Sequence, residues 1–322
     1  MYTSFFGLKE KPFSLVPNPS YLFLSRQHEN ALTYLEYGLH ENVGFVMLTG
    51  DIGTGKTTLL RHMLNTMRPE VNTAVLFNTS LVSDELVPLI LDRFGAQAGT
   101  SASKVQALEI LNEFLITQYA AGKKMLLIID EAQNLSRDAL EEIRMISNLQ
   151  TDDELLLQVM IVGQPELRKK IQDPALEQFA QRIAASYHLT AMDADETRDY
   201  IAHRLETAGG SPVLFTPDAV EKIFDVSKGV PRTINLICDA ALVYGYADET
   251  TAIDSDVIHQ VVRDKGGIGL VDRKASEQTS QTDVHTMDER LSRIEVQIAS
   301  LNQKMDLLLK TMDAQYQIKT SA

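Results

Sequence analysis

The chain predicts an α/β fold on a parallel five-stranded sheet, followed by an all-α domain and a C-terminal coiled-coil helix. Three observations carry this prediction. Short apolar, β-rich runs alternate with longer amphipathic stretches up to about residue 192. From 193 to 265 the strand pattern stops while helix signals continue, and near the C-terminus apolar residues recur in steps of three and four.

The apolar runs cover 43–49, 73–78, 124–130, 155–163 and 185–189. They are nearly continuous, as expected of parallel strands buried on both faces by helices. The helical part has start signals at Asp195, Thr216-Pro217-Asp218, Pro231 and Asp254. Gly266-Gly267 opens a polar linker, 266–282, rich in Ser, Gln and Thr. In the stretch 283–315, Val284, Met287, Leu291, Ile294, Ile298, Leu301, Met305, Leu308 and Met312 follow an a/d pattern. The stripe is either an intermolecular coiled coil or an amphipathic helix on the protein's own surface; the coil is expected, because the linker separates the stripe from the core it would otherwise cover. The domains are thus 1–192, 193–265, 266–282 and 283–315.

The 322 residues are 44% hydrophobic and 23% charged, which gives ample material for a buried core. A single cysteine, Cys238, excludes an intramolecular disulfide framework and reads as a core thiol. No apolar stretch reaches the roughly 20 residues of a membrane helix, so a cytoplasmic protein is expected. The net charge of −14 disfavours non-specific binding to nucleic acid or anionic lipid by the surface as a whole.

Gly50-Asp51-Ile52-Gly53-Thr54-Gly55-Lys56-Thr57-Thr58 joins the first apolar run to a helical segment. Its glycines let backbone N–H groups turn inward and cradle phosphate oxygens at the positive end of the helix. Lys56 then reaches the β- and γ-phosphates of a nucleotide, and the Thr57 hydroxyl is placed to ligate Mg²⁺. The ligand these residues predict is therefore a nucleoside triphosphate with Mg²⁺.

The run Met125-Leu126-Leu127-Ile128-Ile129 ends in Asp130-Glu131. Asp130 lies at the carboxyl end of a buried strand, where a carboxylate holds a magnesium-bound water. Glu131, pointing elsewhere, can polarise an attacking water. Together with the phosphate loop these acids point to hydrolysis as well as binding. The helix after Ser136 has a buried face of Leu140, Ile143, Ile146, Ser147 and Leu149, and is assigned to packing.

With these elements in place the chain resembles the AAA+ ATPases, a P-loop family. It is closer still to the ExeA-type group of general secretion, pilus and exopolysaccharide export systems. The resemblance spans 1 to about 265. It rests on Tyr2-Thr3-Ser4-Phe5-Phe6-Gly7-Leu8, Pro17-Asn18-Pro19, Ser25-Arg26-Gln27-His28, Asp130-Glu131-Ala132-Gln133-Asn134-Leu135, Val162-Gly163-Gln164-Pro165-Glu166-Leu167, Gln181-Arg182-Ile183 and Gly229-Val230-Pro231-Arg232. Leu140 to Gln150 resembles the ATPases encoded beside exosortase and polysaccharide-export genes.

The resemblance implies that Gln164 contacts the attacking water or the γ-phosphate. It also implies that Arg232 brings a guanidinium onto the γ-phosphate and couples lid closure to nucleotide state. Arg182 matches the region of the arginine finger inserted into a neighbouring subunit's site, with Arg168 and Arg144 as rivals. A finger acting in trans makes activity depend on self-association, as a ring or other oligomer. Backbone groups from about Phe13 to Pro19 line the adenine pocket, or else the N-terminal aromatics cap the core. His28 is expected to be an outward or capping histidine, and no metal is expected apart from nucleotide-bound Mg²⁺.

The reading is a cytoplasmic, Mg²⁺-dependent ATPase that supports export machinery and is recruited to a membrane-bound component at the inner membrane face. Two departures limit the secretion analogy: no membrane span and no recognisable peptidoglycan-binding module. The competing reading is a DNA-associated ATPase similar to the TniB-type transposition regulators, against which the acidic balance weighs. A coiled-coil scaffold that binds ATP and scarcely turns it over is the third.

Overall fold

In a computed structural model, residues 1–16, 18–41, 44–77, 83–96, 103–151 and 154–265 are described. Linker 266–282 and the coiled-coil stripe 283–315 lie outside them. A short helix α1 (Tyr2–Phe5) and a 15-residue α2 (Arg26–His40) precede β1 (Phe45–Gly50). Then follow α3 (Lys56–Thr66), β2 (Val71–Leu76), α4 (Ser83–Arg93), α5 (Lys104–Ala120), β3 (Lys124–Ile129), α6 (Arg137–Ile146) and β4 (Gln158–Gly163). Helices α7 (Pro165–Ile171) and α8 (Glu177–Ala180) lead to β5 (Ile183–Leu189).

The strands form one parallel sheet in the order β2-β3-β4-β1-β5. Successive side chains of a strand face opposite ways, and both sets are buried here. Phe45, Met47, Leu127, Ile129, Val159 and Ile161 face the core that contains residues of α4 to α7. Val46, Leu48, Leu126, Ile128, Met160 and Val162 face a second core with α2 and α3. Each such side chain contributes roughly 1.5–3 kcal/mol on burial. A charge at Ile128 would therefore disrupt the sheet.

Strand limits differ from the sequence reading. Strand β2 starts and ends two residues earlier than expected, because its ladder runs from Val71 opposite Lys124 to Leu76 opposite Ile129. The run 155–157 is not part of β4: Leu155 makes an isolated antiparallel bridge to Gln150. Strand β5 begins two residues early, with Ile183 paired to Phe45.

After β5 come α9 (Ala194–Thr207), α10 (Pro217–Ser227), α11 (Pro231–Ala247) and α12 (Ser255–Lys265). The cap of α9 is Asp193, whose carboxylate accepts from Glu196 N while Glu196 accepts from Asp193 N. Asp195, expected to start this helix, lies in its first turn instead. Gly229 closes the α10–α11 turn at φ 74°, and a Cβ there would lie 1.8 Å from the Met192 carbonyl oxygen. Only glycine fits that crossing. Cys238 is fully buried in α11, and burial pushes its thiol pKa up, as fits a packing role.

The N-terminal segment is fastened to these helices. The Tyr2 hydroxyl donates to Asp239 Oδ1 at 2.5 Å, and Lys9 N donates to the Ala208 carbonyl at 2.9 Å. Phe13 packs edge-on against Phe215. Arg204, buried on α9, donates to the Pro12 carbonyl at 2.5 Å and the Ser14 carbonyl at 3.2 Å, with its guanidinium over the Tyr21 ring. Met1–Asp264 pack as one compact unit.

Candidate functional site

The loop between β1 and α3 takes its shape from two glycines, Gly53 at φ 86° and Gly55 at φ 98°. L side chains rarely adopt such angles. Thr54 Oγ1 donates to the Asp51 carbonyl at 2.9 Å, which closes the turn. The first amides of α3 have no partner within the helix, so the loop and helix start form an anion cradle. Lys56 is buried at its base, with Nζ donating to the carbonyls of Gly50 (2.7 Å) and Asp51 (2.8 Å). Burial pushes its pKa down, against the opposing pull of Glu131, Asp130 and Asp51. Thr58 is exposed on the first turn and lines the same cavity.

Strand β3 delivers the acids to this cradle. Asp130 is buried, and its Oδ2 accepts from Thr57 Oγ1 at 3.2 Å while Oδ1 accepts from Glu131 N at 2.9 Å. Burial pushes the Asp130 carboxyl up. A hydroxyl and a carboxylate side by side are the hard oxygen donors that suit Mg²⁺, which keeps several of its waters. The residues present therefore fit the ion.

Glu131 has a left-handed backbone, φ 54° and ψ 36°, which costs a non-glycine residue about 1 kcal/mol or more. Its Oε2 accepts from Gln164 Nε2 at 3.1 Å and from Gln133 Nε2 at 2.5 Å. Gln133 also accepts from Gln164 N at 3.0 Å through Oε1, so one amide spans the ends of β3 and β4. Lys170 holds this turn by donating to the carbonyls of Gln133 (2.5 Å) and Leu135 (2.7 Å). Sequence reasoning assigns Gln133 no task. Its signal was position alone, two residues beyond Glu131.

A cavity of about 360 Å³ runs from the cradle to α9 and α11, lined among others by Lys56, Glu131, Gln164 and Arg232. Arg232 N donates to the Gly53 carbonyl at 3.2 Å, which joins α11 to the loop. At the other end Ser14, Leu15 and Val16 line the cavity while Phe13 is buried. Pocket lining and core capping therefore belong to neighbouring residues of one segment. Arg204 and the Tyr200–Asn235 hydroxyl–amide pair (2.9 Å) complete this wall. Nothing in the local sequence around Arg204 signals that placement.

One expectation is corrected, that His28 points outward, and Arg182 lies away from this chain's own phosphate loop. His28 is not outward: the ring is buried against the loop, with Nε2 3.1 Å from the Thr54 carbonyl oxygen. Arg182 immediately precedes β5, and β5 begins opposite the first residue of β1. At about 3.3 Å per residue this leaves Arg182 roughly 20 Å along the sheet from the loop after Gly50. It is not brought together with Lys56, Glu131 and Gln164. Of its rivals, Arg144 pairs with Glu141 (2.8 Å) and Arg168 is exposed on α7.

A family model described as AAA domain matches residues 39–171. General secretion pathway protein A of Aeromonas hydrophila is 43% identical over 247 residues, 77% of this chain and 45% of that protein. The chain thus spans less than half the length of that relative. Among solved structures, the Aeropyrum pernix ORC2 protein in its ADP form aligns with a TM-score of 0.59 at 20% identity, covering 80% of this chain and 73% of that one. Cdc6p of Pyrobaculum aerophilum aligns at 0.61 and 18%, covering 79% and 70%. These two share the fold. No helix among the described residues is long and apolar enough to cross a membrane. With its phosphate loop, its acid-tipped β3 and this kinship, the chain belongs to the AAA+ ATPases of the general secretion pathway protein A type.

Proposed function

We propose that this chain hydrolyses ATP with Mg²⁺ in the cavity between the sheet and α11, and that the cycle serves an export apparatus at the inner membrane face. The observation that carries this is the convergence of Lys56, Thr57, Glu131, Gln164 and Arg232 on one cavity, with Asp130 accepting from the Thr57 hydroxyl. The loop amides and Lys56 bind the β- and γ-phosphates. Thr57 and Asp130 hold Mg²⁺, which supplies charge neutralisation on the phosphate oxygens when bound. Glu131 polarises the attacking water, and Gln164 orients it. Arg232 meets the γ-phosphate charge from α11 and couples the helices after β5 to nucleotide state.

Arg182, far from its own loop along the sheet, acts as a finger on a neighbouring copy, so turnover follows self-association. The role in export rests on the relationship to general secretion pathway protein A. Phosphate release by the full chain tests the reading: Lys56→Ala abolishes it, and the wild-type rate rises with protein concentration. Double-stranded DNA at moderate salt leaves the rate unchanged. Strong stimulation by DNA would overturn the export reading.

A further inference from the structure

The mechanism above does not use His28, yet the ring lies against the phosphate loop. Nε2 lies 3.1 Å from the Thr54 carbonyl oxygen and Nδ1 lies 2.8 Å from Ser25 Oγ. A carbonyl can only accept, so Nε2 carries the proton and the neutral ring accepts the Ser25 hydroxyl at Nδ1. Burial favours this neutral form by pushing the imidazole pKa down. The ring also occupies the space beside Gly55, where a Cβ would come within 2.8 Å of Nε2.

A trans peptide is planar, so a Thr54 carbonyl held towards the ring aims the Gly55 N–H the opposite way. That peptide is part of the phosphate cradle. The same helix end is tied to α9, because Arg26 N donates to Glu196 Oε1 at 2.9 Å. The start of α2 therefore joins the loop, through the His28 ring, to α9, through Arg26 N, in a second connection separate from that of Arg232 and Gly53.

We infer that His28 is a positioning residue: with Ser25 it sets the Thr54–Gly55 peptide for phosphate binding and links the loop to α9. This rests on the ATPase reading. If wild type releases no phosphate from ATP, that reading fails. If wild type is active and the variants below bind ATP normally, only the inference about His28 fails.

Steady-state ATP hydrolysis by full-length His28→Leu, His28→Gln and Ser25→Gly tests it, alongside melting of each nucleotide-free protein. Losing one neutral hydrogen bond to the loop raises the ATP KM roughly 5- to 10-fold in His28→Leu with kcat within about twofold. His28→Gln keeps a donor and stays within about threefold of wild-type KM. Ser25→Gly keeps most of the helix cap and still raises KM about threefold, and it decides the matter should His28→Leu not fold. Lower melting temperatures with wild-type KM in the folded variants would reduce His28 to a packing residue and overturn the inference.

Discussion

The backbone N–H of Arg232 donates to the carbonyl of Gly53 at 3.2 Å, so the first turn of α11 rests on the phosphate loop. The main chain makes this joint, which leaves the guanidinium available to the cavity. Arg232→Ala should therefore lower kcat about 10²-fold, the scale of one lost charge stabiliser, with little change in melting temperature. Gly53→Ala acts on the joint itself. Its Cβ would lie 2.7 Å from Arg232 Cβ on a backbone at φ 86°, and calorimetric ATP affinity should fall more than about tenfold.

Gln133 bridges Glu131 and Gln164 and itself lines no part of the cavity as described. Gln133→Ala releases both the carboxylate and the start of α7 from one amide. The expected result is a kcat about tenfold lower with an unchanged KM for ATP, read by steady-state phosphate release.

Burial of Asp130 carries a cost in the nucleotide-free fold. Burial raises its carboxyl pKa, so the folded chain favours the protonated form relative to the unfolded chain. That contribution is present below the unfolded pKa and is lost as pH rises through the folded one. At neutral pH the ionised Asp130 is therefore a net cost. Without nucleotide, Asp130→Asn should raise Tm, while turnover is abolished. The gain should vanish at a pH low enough to protonate the native aspartate. Scanning calorimetry at both pH values checks the sign.

The phosphate loop and the acids after β3 were legible because their chemistry demands fixed residue types at fixed spacing. Apolar runs similarly marked the five strands. Their lateral order was not legible, since pairing β1 between β4 and β5 depends on contacts more than a hundred residues apart. Leu155 to Leu157 read as strand because hydrophobicity reports burial and not hydrogen bonding. His28 read as outward or capping because its partner on the loop is a main-chain carbonyl 26 residues on, which leaves no mark in side-chain pattern. Arg204 was invisible for the same reason, since two of its acceptors are the carbonyls of Pro12 and Ser14.

Glu131 is strained at φ 54°, with two glutamine amides on one carboxylate oxygen. The direct measurement is single-turnover ATP hydrolysis by Glu131→Gln, with ATP affinity determined on the same preparation. The prediction is a hydrolysis rate at least about 10²-fold lower with ATP affinity retained, because the amide keeps the shape and loses the base. An unchanged rate would contradict the account and leave a nucleotide-binding scaffold.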